Sequence, residues 1–323
     1  MSAADWNGNE TLRAVVCVCT FRRPEGIRAL LRSLDGQRFR GAPPDLSVVV
    51  VDNDPTQPAF ASQEEAQAAV SWPVTYIHEP RRGLVAARNR SLDAAPPEAR
   101  AALFVDDDEV VTPGWVEALI DTWQATGATV VQGPMVPRYE EPPPPWVEEL
   151  GIFRLGPFVN GAPLHFAATG NSLIDLEFVR RLGLRFDPAF NFAGGEDEEF
   201  YGRVREGGGR IVSAANAVVY DEVPSWRLTR DWVLRRSRRR GNTLGRIALK
   251  RRKGRAARVA KGFGAIIFGA ARTGTAGLWS TTNAIAGRME MARGLGMLSA
   301  FFRVELLEYS PKDVEADRDK AHD

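Results

Sequence analysis

Cysteine and histidine are both scarce in this chain of 323 residues, which contains two cysteines and three histidines. Cys17 and Cys19 stand two positions apart in an apolar run, so on a strand they would share one face and are not placed to form a disulfide. We expect them to be reduced packing residues, as is typical of cytosolic proteins. The histidines, His78, His165 and His322, have no spacing suited to a shared metal, and no role is assigned to them.

Long apolar stretches are absent as well. The first dozen residues are polar and lack the apolar core of a secretory signal peptide. The longest uncharged runs in the carboxyl-terminal part, 262–271 and 273–287, are shorter than the ~20 residues that a membrane-spanning helix needs. We therefore expect a cytoplasmic protein with a disordered amino-terminal segment at 1–12. A spanning segment within 262–287 is the less favoured alternative.

The net charge of +1 conceals a strong asymmetry along the chain. Residues 1–224 contain 20 Lys and Arg against 32 Asp and Glu, whereas residues 225–261, the basic collar, contain 15 against one. A basic stretch followed by an apolar one is typical of an interfacial helix on an anionic membrane. We predict that 226–323 form a basic, amphipathic helical region, peripheral at the inner face of the cell membrane. The alternatives are binding to nucleic acid, which is not expected, and a solvated helix face without a partner.

Strands and helices alternate along the first two thirds of the chain. Apolar runs predict strands over 13–19, 46–51, 74–77, 101–105, 210–212 and 217–220. Helices are predicted from Pro24, over 60–70, over 84–95 and up to Glu206. This alternation predicts an α/β fold with a mainly parallel sheet, in which ligands bind beyond the carboxyl ends of the strands.

The most acidic motif, Asp106-Asp107-Asp108-Glu109, directly follows the apolar run 101–105. Four carboxylates at a strand end repel one another and lose solvation, and a hard divalent cation would relieve both effects. One or two carboxylates, with substrate phosphates completing the shell, are the usual arrangement for Mg²⁺ or Mn²⁺. The alternative is a solvated acidic turn. The apolar segments on both sides of the motif favour a metal site.

Six motifs occur in an order that resembles family 2 glycosyltransferases with the GT-A fold, in particular the succinoglycan-type branch that builds exopolysaccharides. They are Thr20-Phe21-Arg22-Arg23-Pro24, Val51-Asp52-Asn53, Gly83-Leu84-Val85-Ala86-Ala87-Arg88-Asn89, Val105-Asp106-Asp107-Asp108-Glu109, Thr169-Gly170-Asn171 and Gly195-Glu196-Asp197. The similarity extends over residues 13–240. It implies a GT-A domain at 13–225, with a mixed, mainly parallel sheet flanked by helices and a basic helical carboxyl-terminal extension.

The resemblance implies a site for a nucleotide-sugar donor. Thr20 and Asp52 match the positions that hold the base and the ribose, while Arg88 and Asn89 match a pair under the nucleotide. For Arg88 the alternative is a structural ion pair with the acidic motif. The full set of implied donor-binding residues is Thr20, Arg22, Asp52, Asn53, Arg88, Asn89 and Asp106.

The family's Asp-x-Asp motif corresponds to Asp106 and Asp108. The resemblance implies that Asp108 is the direct ligand of Mn²⁺ or Mg²⁺, with Asp106 at the metal or the ribose. Asp107 would point to the opposite face if the strand continued through it, and it is therefore ranked below both.

The resemblance also implies an acceptor side. Asp197 matches the general base that removes the proton from the attacking hydroxyl, and Glu196 is expected to assist catalysis or orient the acceptor. Gly170 and Asn171 are expected to line the acceptor. As an alternative, the acidic run 196–199 is an ordinary helix amino terminus, where carboxylates are favoured by the helix dipole.

Two departures from the family pattern stand out. Val219-Tyr220-Asp221-Glu222 has no histidine where relatives often carry a metal ligand. The arginine-rich run 235–240 lacks the tryptophan that often closes the family's pyrophosphate motif, although guanidinium groups suit a diphosphate. Arg238 and Arg239 are the predicted pyrophosphate contacts.

The sequence thus predicts a metal-dependent, inverting glycosyltransferase that moves a hexose, most simply from UDP-hexose, to a lipid-linked saccharide in cell-surface polysaccharide synthesis. Transfer to polyprenyl phosphate is the nearest alternative. A nucleotidyltransferase is disfavoured because no Gly-rich basic phosphate loop lies near Thr20. A non-catalytic anion-binding scaffold, with inert acidic motifs, is the third alternative.

Overall fold

The computed structural model describes residues 11–54, 56, 58–251, 254–275 and 279–307, and the chain divides into two compact units. The first unit comprises the chain up to Arg138, Arg154–Pro188 and Glu196–Glu222. The second comprises Tyr139–Phe153, Ala189–Gly195 and the chain from Val223 onward. Residues 1–10 of the predicted disordered segment lie outside the described residues, and the predicted division after residue 225 stays a prediction.

The described residues form ten strands and ten helices. The strands are β1 (Arg13–Thr20), β2 (Asp45–Asp52), β3 (Val74–His78), β4 (Ala101–Val105), β5 (Glu109–Val111), β6 (Val130–Gln132), β7 (Met135–Tyr139), β8 (Asn171–Asp175), β9 (Ile211–Ser213) and β10 (Val219–Val223). The helices are α1 (Pro24–Asp35), α2 (Gln63–Gln67), α3 (Leu84–Ala94), α4 (Trp115–Thr126), α5 (Pro145–Leu150), α6 (Leu176–Arg181), α7 (Glu196–Glu206), α8 (Arg230–Arg251), α9 (Arg255–Thr275) and α10 (Thr281–Phe301).

A seven-stranded sheet organises the first unit in the order β3-β2-β1-β4-β8-β6-β9. β8 runs antiparallel to both of its neighbours, and the other pairs are parallel. The predicted mixed, mainly parallel sheet is therefore confirmed. A smaller sheet has the order β5-β10-β7. Because β1, β2 and β4 are adjacent and parallel, their carboxyl ends meet at one edge of the large sheet.

The core of the first unit lies on both faces of this sheet because successive side chains of a strand point to opposite sides. From β1, Val16 and Val18 pack with α1 and α4, whereas Val15 and Cys17 pack against α3, α6 and α7. Cys17 and Cys19 are free thiols, as predicted. Burial raises the pKa of the Cys17 thiol, so it remains a packing group rather than a nucleophile.

The second unit is built on α8, α9 and α10, joined by α5 and an aromatic cluster that includes Phe153 stacked on Trp232. Close helix packing depends on glycine. A Cβ added at Gly241 of α8 would lie 2.0 Å from the Arg293 carbonyl oxygen of α10. Gly195 has φ +83° and would place a Cβ 1.9 Å from Thr243, so the residue before α7 must be glycine. Within the described ranges, no helix is long and apolar enough to cross a bilayer.

Several element boundaries differ from the predicted ones. The helix predicted over 60–70 is limited to the five residues of α2, and the strand predicted over 217–220 begins at Val219 and extends to Val223. The strand before the acidic motif ends at Val105, so the condition under which Asp107 would point to the opposite face is not met. Leu12, within the predicted disordered segment, is buried in the core.

Candidate active site

The ends of β1, β2 and β4 bring the predicted donor residues together. Thr20 and Asp52 are register partners at the last positions of β1 and β2. The hydroxyl of Thr20 is buried and donates a hydrogen bond of 2.7 Å to Asp107, which follows β4. The convergence of strand ends that the sequence predicted is therefore present, with the first and fourth motifs in direct contact.

The acidic motif forms a tight turn. The Asp106 backbone nitrogen donates to Glu109 Oε2 at 2.9 Å, and Asp107 and Glu109 are buried. Arg23 spans the turn, with its Nη1 at 3.2 Å from Asp107 Oδ1 and 2.5 Å from Asp108 Oδ2. The Arg23 guanidinium thus offsets part of the negative charge that a metal ion was predicted to neutralise.

The remaining negative charge of the turn is poorly compensated. Burial, together with the neighbouring carboxylates, raises the pKa of Asp106 to about 6, although Arg88 opposes the shift. Burial raises the pKa of Asp107 to about 7, and it raises that of Glu109 well above its ordinary value. Glu109 Oε1 is buried and has no hydrogen-bond partner among the described residues. This unpaired oxygen and the crowded carboxylates fit a cation at the turn.

The oxygen ligands available at the turn suit a hard metal ion whose coordination is completed by a bound substrate. Across the described ranges, no three His, Cys, Asp or Glu side chains are grouped to hold a metal ion by themselves. Asp106 and Asp108 flank the turn, with side chains 39% and 23% exposed. Two accessible carboxylates supplemented by phosphate oxygens are a usual set for Mg²⁺ or Mn²⁺.

The Asp52–Asp54 segment forms a wall next to the turn. Asp52 is fully buried and accepts hydrogen bonds from the backbone nitrogens of Asp54 and Ala59 and from the Tyr76 hydroxyl, at 3.0, 2.6 and 2.6 Å. Asn53 bonds backbone groups of Glu79, Arg81 and Gly83. Both side chains therefore shape this wall. Their predicted contacts with a nucleotide stay predictions.

Arg22 occupies a strained backbone position at the same edge. Its φ is +56°, in the left-handed region that residues other than glycine seldom adopt. Its side chain pairs with Asp54 at 3.0 Å and lies 5.1 Å from the centre of the Phe21 ring, and Arg82 lies 5.3 Å from the same ring. Backbone strain of this kind is frequent at ligand sites.

Arg88 connects the acidic turn with the predicted acceptor side. Its side chain is only 3% exposed, and its guanidinium lies 2.5 Å from Glu196, 2.7 Å from Asp197 and 3.6 Å from Asp106. The ion pair considered as an alternative thus includes both carboxylates that begin α7. The neighbouring Asn89 bonds both backbone groups of Phe186 at 2.8 Å, which fixes α3 to that segment.

Of the three carboxylates around Arg88, Asp197 is less exposed than Asp106 but more exposed than Glu196. Its side chain is 25% exposed and accepts hydrogen bonds from the Thr169 backbone nitrogen, at 3.2 Å, and the Thr169 hydroxyl. Gly170 follows, and a Cβ added there would lie 2.8 Å from Asp106 Oδ2. Gly170 therefore lies between the donor and acceptor motifs, and its lack of a side chain lets the backbone approach Asp106.

Asn171 has a structural position instead of the predicted acceptor-lining one. It is fully buried, accepts from Trp115 Nε1 at 2.7 Å, and donates to the carbonyl oxygens of Pro134 and Ala217 at 2.9 and 2.8 Å. Its amide thereby joins β8 to three other segments. The prediction for Asn171 does not agree with this burial.

Two residues of the quoted motifs for which no role was predicted contact carboxylates of the site. Arg23 holds Asp107 and Asp108, and Thr169 holds Asp197. Their place next to Arg22 and Gly170 was the available signal. Arg238 and Arg239 lie on α8 of the second unit, so their predicted pyrophosphate contact stays a prediction.

Solved structures with this fold define its class. Mannosyltransferase PcManGT from Pyrobaculum calidifontis, in complex with GDP-Man and Mn²⁺, matches with a TM-score of 0.58 and 19% identity, covering 92% of this chain and 89% of that one. TarS 1–349 of S. aureus in complex with UDP matches with a TM-score of 0.52 and 16% identity, covering 92% and 95%. The chain spans 39% of the longer TarS chain. The protein has the GT-A glycosyltransferase fold, as predicted.

The sequence comparisons define the family. The pattern of Glycosyl transferase family 2 matches residues 15–183. The chain is 33% identical over 250 residues to the succinoglycan biosynthesis protein ExoM of Rhizobium meliloti (strain 1021), covering 76% of this chain and 78% of that protein. This protein belongs to glycosyl transferase family 2 and is a glycosyltransferase. The predicted resemblance to the succinoglycan-type branch is confirmed.

Proposed function

We propose that this enzyme transfers a hexose from a nucleotide-sugar, in the first instance UDP-hexose, to a saccharide hydroxyl with inversion at the anomeric carbon. Mn²⁺ or Mg²⁺ is the proposed cofactor. The bound UDP of TarS and the bound GDP-Man and Mn²⁺ of PcManGT support a nucleotide-sugar donor and a divalent cation. The nucleotides bound in these two structures carry different bases, so the choice of uracil is part of the proposal.

The observation that carries the proposal is the position of Arg88. One buried guanidinium contacts both Asp106, a proposed donor residue, and Asp197, a proposed acceptor-side residue. A carboxylate suited to proton removal thus lies next to the carboxylates suited to the diphosphate end of a donor. Direct displacement needs both groups near one anomeric carbon, with the attacking hydroxyl and the leaving diphosphate on opposite sides of it.

Asp197 is the proposed general base. It would accept the proton of the acceptor hydroxyl as that oxygen attacks the anomeric carbon and the nucleotide diphosphate leaves. Thr169 and Arg88 hold the carboxylate, which limits the orientations available to it. Glu196, buried on the other side of Arg88, would keep the guanidinium in place. An α-linked donor would give a β-linked product.

Asp106 and Asp108 would hold the cation. When bound, the cation would offset the negative charge that develops on the leaving diphosphate. Arg23, paired with Asp107 and Asp108, would keep the turn compact with or without the metal. Thr20, Arg22, Asp52, Asn53 and Asn89 are the remaining proposed donor residues, with Arg238 and Arg239 as proposed diphosphate contacts.

The proposed acceptor is a lipid-linked saccharide at the cytoplasmic face of the cell membrane. The support is the similarity to a succinoglycan biosynthesis protein, together with the basic collar. Transfer to polyprenyl phosphate is the second candidate, favoured by the same cationic segment. A product carrying a glycosidic bond would support the first acceptor, and a sugar-phosphate product would support the second.

The test is calorimetric titration with UDP, GDP and ADP, each with and without Mn²⁺. We expect UDP to bind most tightly and to bind at least tenfold more tightly with Mn²⁺, equivalent to about 1.4 kcal/mol. Preference for GDP would replace the proposed base. Equal affinity with and without Mn²⁺ would reject metal dependence.

Asp108→Asn tests the metal assignment directly. The variant should lose the Mn²⁺-stimulated part of UDP binding while its melting temperature stays close to that of the wild type, because Asp108 is partly exposed. Asp121→Asn removes an exposed carboxylate paired with Arg40 and serves as the control. Unchanged Mn²⁺ stimulation in Asp108→Asn would place the ion elsewhere.

A further inference from the structure

The outer face of α9 carries large apolar side chains that are more than half exposed in the described part of the chain. Phe263, Ile267 and Phe268 are 55%, 69% and 60% exposed. The opposite face of the same helix, with Gly262, Ala265 and Gly269, is buried. We call Phe263, Ile267 and Phe268 the α9 apolar face. Isolated exposed apolar residues are ordinary, but a continuous group on one helix indicates a binding surface.

Cationic side chains border this face. Arg258 and Lys261 precede it on α9, and no ion pair joins either of them to another described residue. With Arg293 of α10 they line a cavity of about 390 Å³ whose wall also includes Phe268 and Met297. Arg293 pairs with Glu290, which also lines the cavity. Two cations without an ion-pair partner among the described residues, next to an apolar surface, are complementary to an anionic amphiphile.

The part of the basic collar that lies on α8 lacks such an apolar surface. On α8 the apolar residues Val233, Leu244 and Ile247 are buried, and α8 packs closely against α10 through Gly241 and Gly296. Cations on α8 therefore project from a helix whose apolar side is already covered. Within the region 226–323 that is predicted to meet a membrane, α9 rather than α8 therefore combines cations with an exposed apolar surface.

The length of the apolar segment limits how it can meet a bilayer. From Gly262 to the end of α9 there are 14 residues, which extend about 21 Å as a helix, against a hydrocarbon core of ~30 Å. The segment is too short to cross. Arg258 and Lys261 precede the apolar side chains, and Arg272 in the last turn bonds Asn283. This order suits a helix whose apolar side chains enter one leaflet while Arg258 and Lys261 remain among the headgroups.

We propose that α9 docks this protein on an anionic lipid bilayer, with Phe263, Ile267 and Phe268 entering the acyl region and Arg258 and Lys261 binding headgroup phosphates. The inference deepens the proposed function, since it rests on an acceptor that is anchored in a membrane. Its test requires neither donor nor acceptor, so the two proposals fail separately.

The experiment is flotation of the full chain with vesicles of phosphatidylcholine alone, or of phosphatidylcholine with about 30 mol% phosphatidylglycerol as the anionic lipid. We expect binding to the anionic vesicles that weakens as salt is raised. The triple variant Phe263→Ser, Ile267→Ser, Phe268→Ser should partition on the order of 100-fold more weakly, because each apolar side chain favours burial. Val159→Ser with Phe166→Ser, at exposed apolar positions of the first unit, is the matched control.

Two charge-reversal variants compare the contributions of α9 and α8 to vesicle binding. Arg258→Glu with Lys261→Glu should abolish the preference for anionic vesicles, whereas Arg235→Glu with Arg240→Glu, at exposed positions of α8, should reduce it much less. Equal losses, or a larger loss from α8, would overturn the proposal. Wild-type flotation of the triple variant would overturn it too.

Insertion is checked independently of affinity. A solvatochromic dye on Ile267→Cys should shift to the blue with anionic vesicles, while the same dye on Val159→Cys should not. The native thiol Cys17 is buried and Cys19 has its pKa raised by burial to about 12, so both should label poorly. No dye shift at position 267 would overturn the proposal. Wild-type dimerisation that the triple variant abolishes, without any vesicle binding, would overturn it too and would identify a second copy of the chain as the occupant of the face.

Discussion

Individual carboxylates of the first unit have very different surroundings, and these surroundings separate their roles. Asp52 is fully buried and accepts three hydrogen bonds. Asp107 is shared between Thr20 and Arg23. Asp197 keeps a quarter of its side chain exposed while Thr169 and Arg88 hold it. A carboxylate that is both held and accessible fits the role of general base proposed for Asp197.

Asp197→Asn should bind donor normally and lose transfer by about 10²–10⁴-fold, the usual contribution of a general base. The amide keeps the shape of the side chain and can still pair with Thr169, so folding should be preserved. The measurement is the rate of transfer at saturating donor, together with donor affinity by calorimetry.

Glu198→Gln provides the matched control for Asp197→Asn, because it neutralises the next carboxylate on α7 without touching Arg88. Its transfer rate should stay within about twofold of the wild type, since it contacts none of the proposed catalytic groups. Survival of a tenth or more of the wild-type rate in Asp197→Asn would mean that another group removes the proton.

Asp107 should make the stability of the metal-free protein depend on pH. Burial raises the pKa of Asp107 from 3.8 to about 7, so its stabilising protonated form is complete below about pH 4 and is lost as pH rises through 7. The free energy of unfolding should fall by about 1–4 kcal/mol between pH 5 and pH 8.

Urea unfolding at several pH values, with a chelator present, measures this dependence. In Asp107→Asn the fall should be clearly smaller, though not zero, because burial also raises the pKa of Asp106 and Glu109. Asp45→Asn, at an exposed carboxylate, should retain the wild-type slope. Identical slopes for Asp107→Asn and the wild type would contradict the assignment.

At the scale of elements, the sequence predicted those strands and strand ends that a local run of residues specifies. The apolar runs of β1 to β4 and the polar residues after them predicted the sheet edge that carries the site. The antiparallel β8 and the burial of Asn171 were not predictable in the same way. The partners of Asn171 lie 37 to 56 positions away along the chain, and no local pattern specifies such contacts.

Asn171→Ala should therefore act on stability. It would leave the Trp115 indole nitrogen and the Pro134 and Ala217 carbonyl oxygens without their partner, and each buried group left unsatisfied costs about 1–3 kcal/mol. We expect a loss of about 2–5 kcal/mol in the free energy of unfolding.

Asn160→Ala is the comparison for Asn171→Ala. Asn160 accepts two hydrogen bonds through its side chain, but it is exposed, so water can replace the lost partner. Its cost should stay near 1 kcal/mol. If the two variants are equally stable in urea, the buried amide of Asn171 contributes less than its contacts indicate.

At the scale of the whole molecule, sequence order and spatial grouping differ. The motifs of the first unit are spread from Thr20 to Asp197, and the second unit takes two short segments, 139–153 and 189–195, from within that span. A boundary read along the chain cannot capture this interleaving, because composition changes only near residue 225. The charge asymmetry, by contrast, was visible in the sequence because it needs no knowledge of contacts.

The sharing of Arg88 has a consequence for the order of events in turnover. One guanidinium serves Asp106 and Asp197, so a cation or diphosphate that changes the charge at Asp106 alters the attraction felt at Asp197. By thermodynamic reciprocity, acceptor binding must then change donor affinity by the same factor. We expect UDP with Mn²⁺ to bind several-fold more tightly in the presence of a saccharide acceptor, and Arg88→Lys, with a single point charge, to lose that coupling. Such an enzyme would hold its donor firmly only when a partner for the sugar is present, which would protect the activated sugar from water.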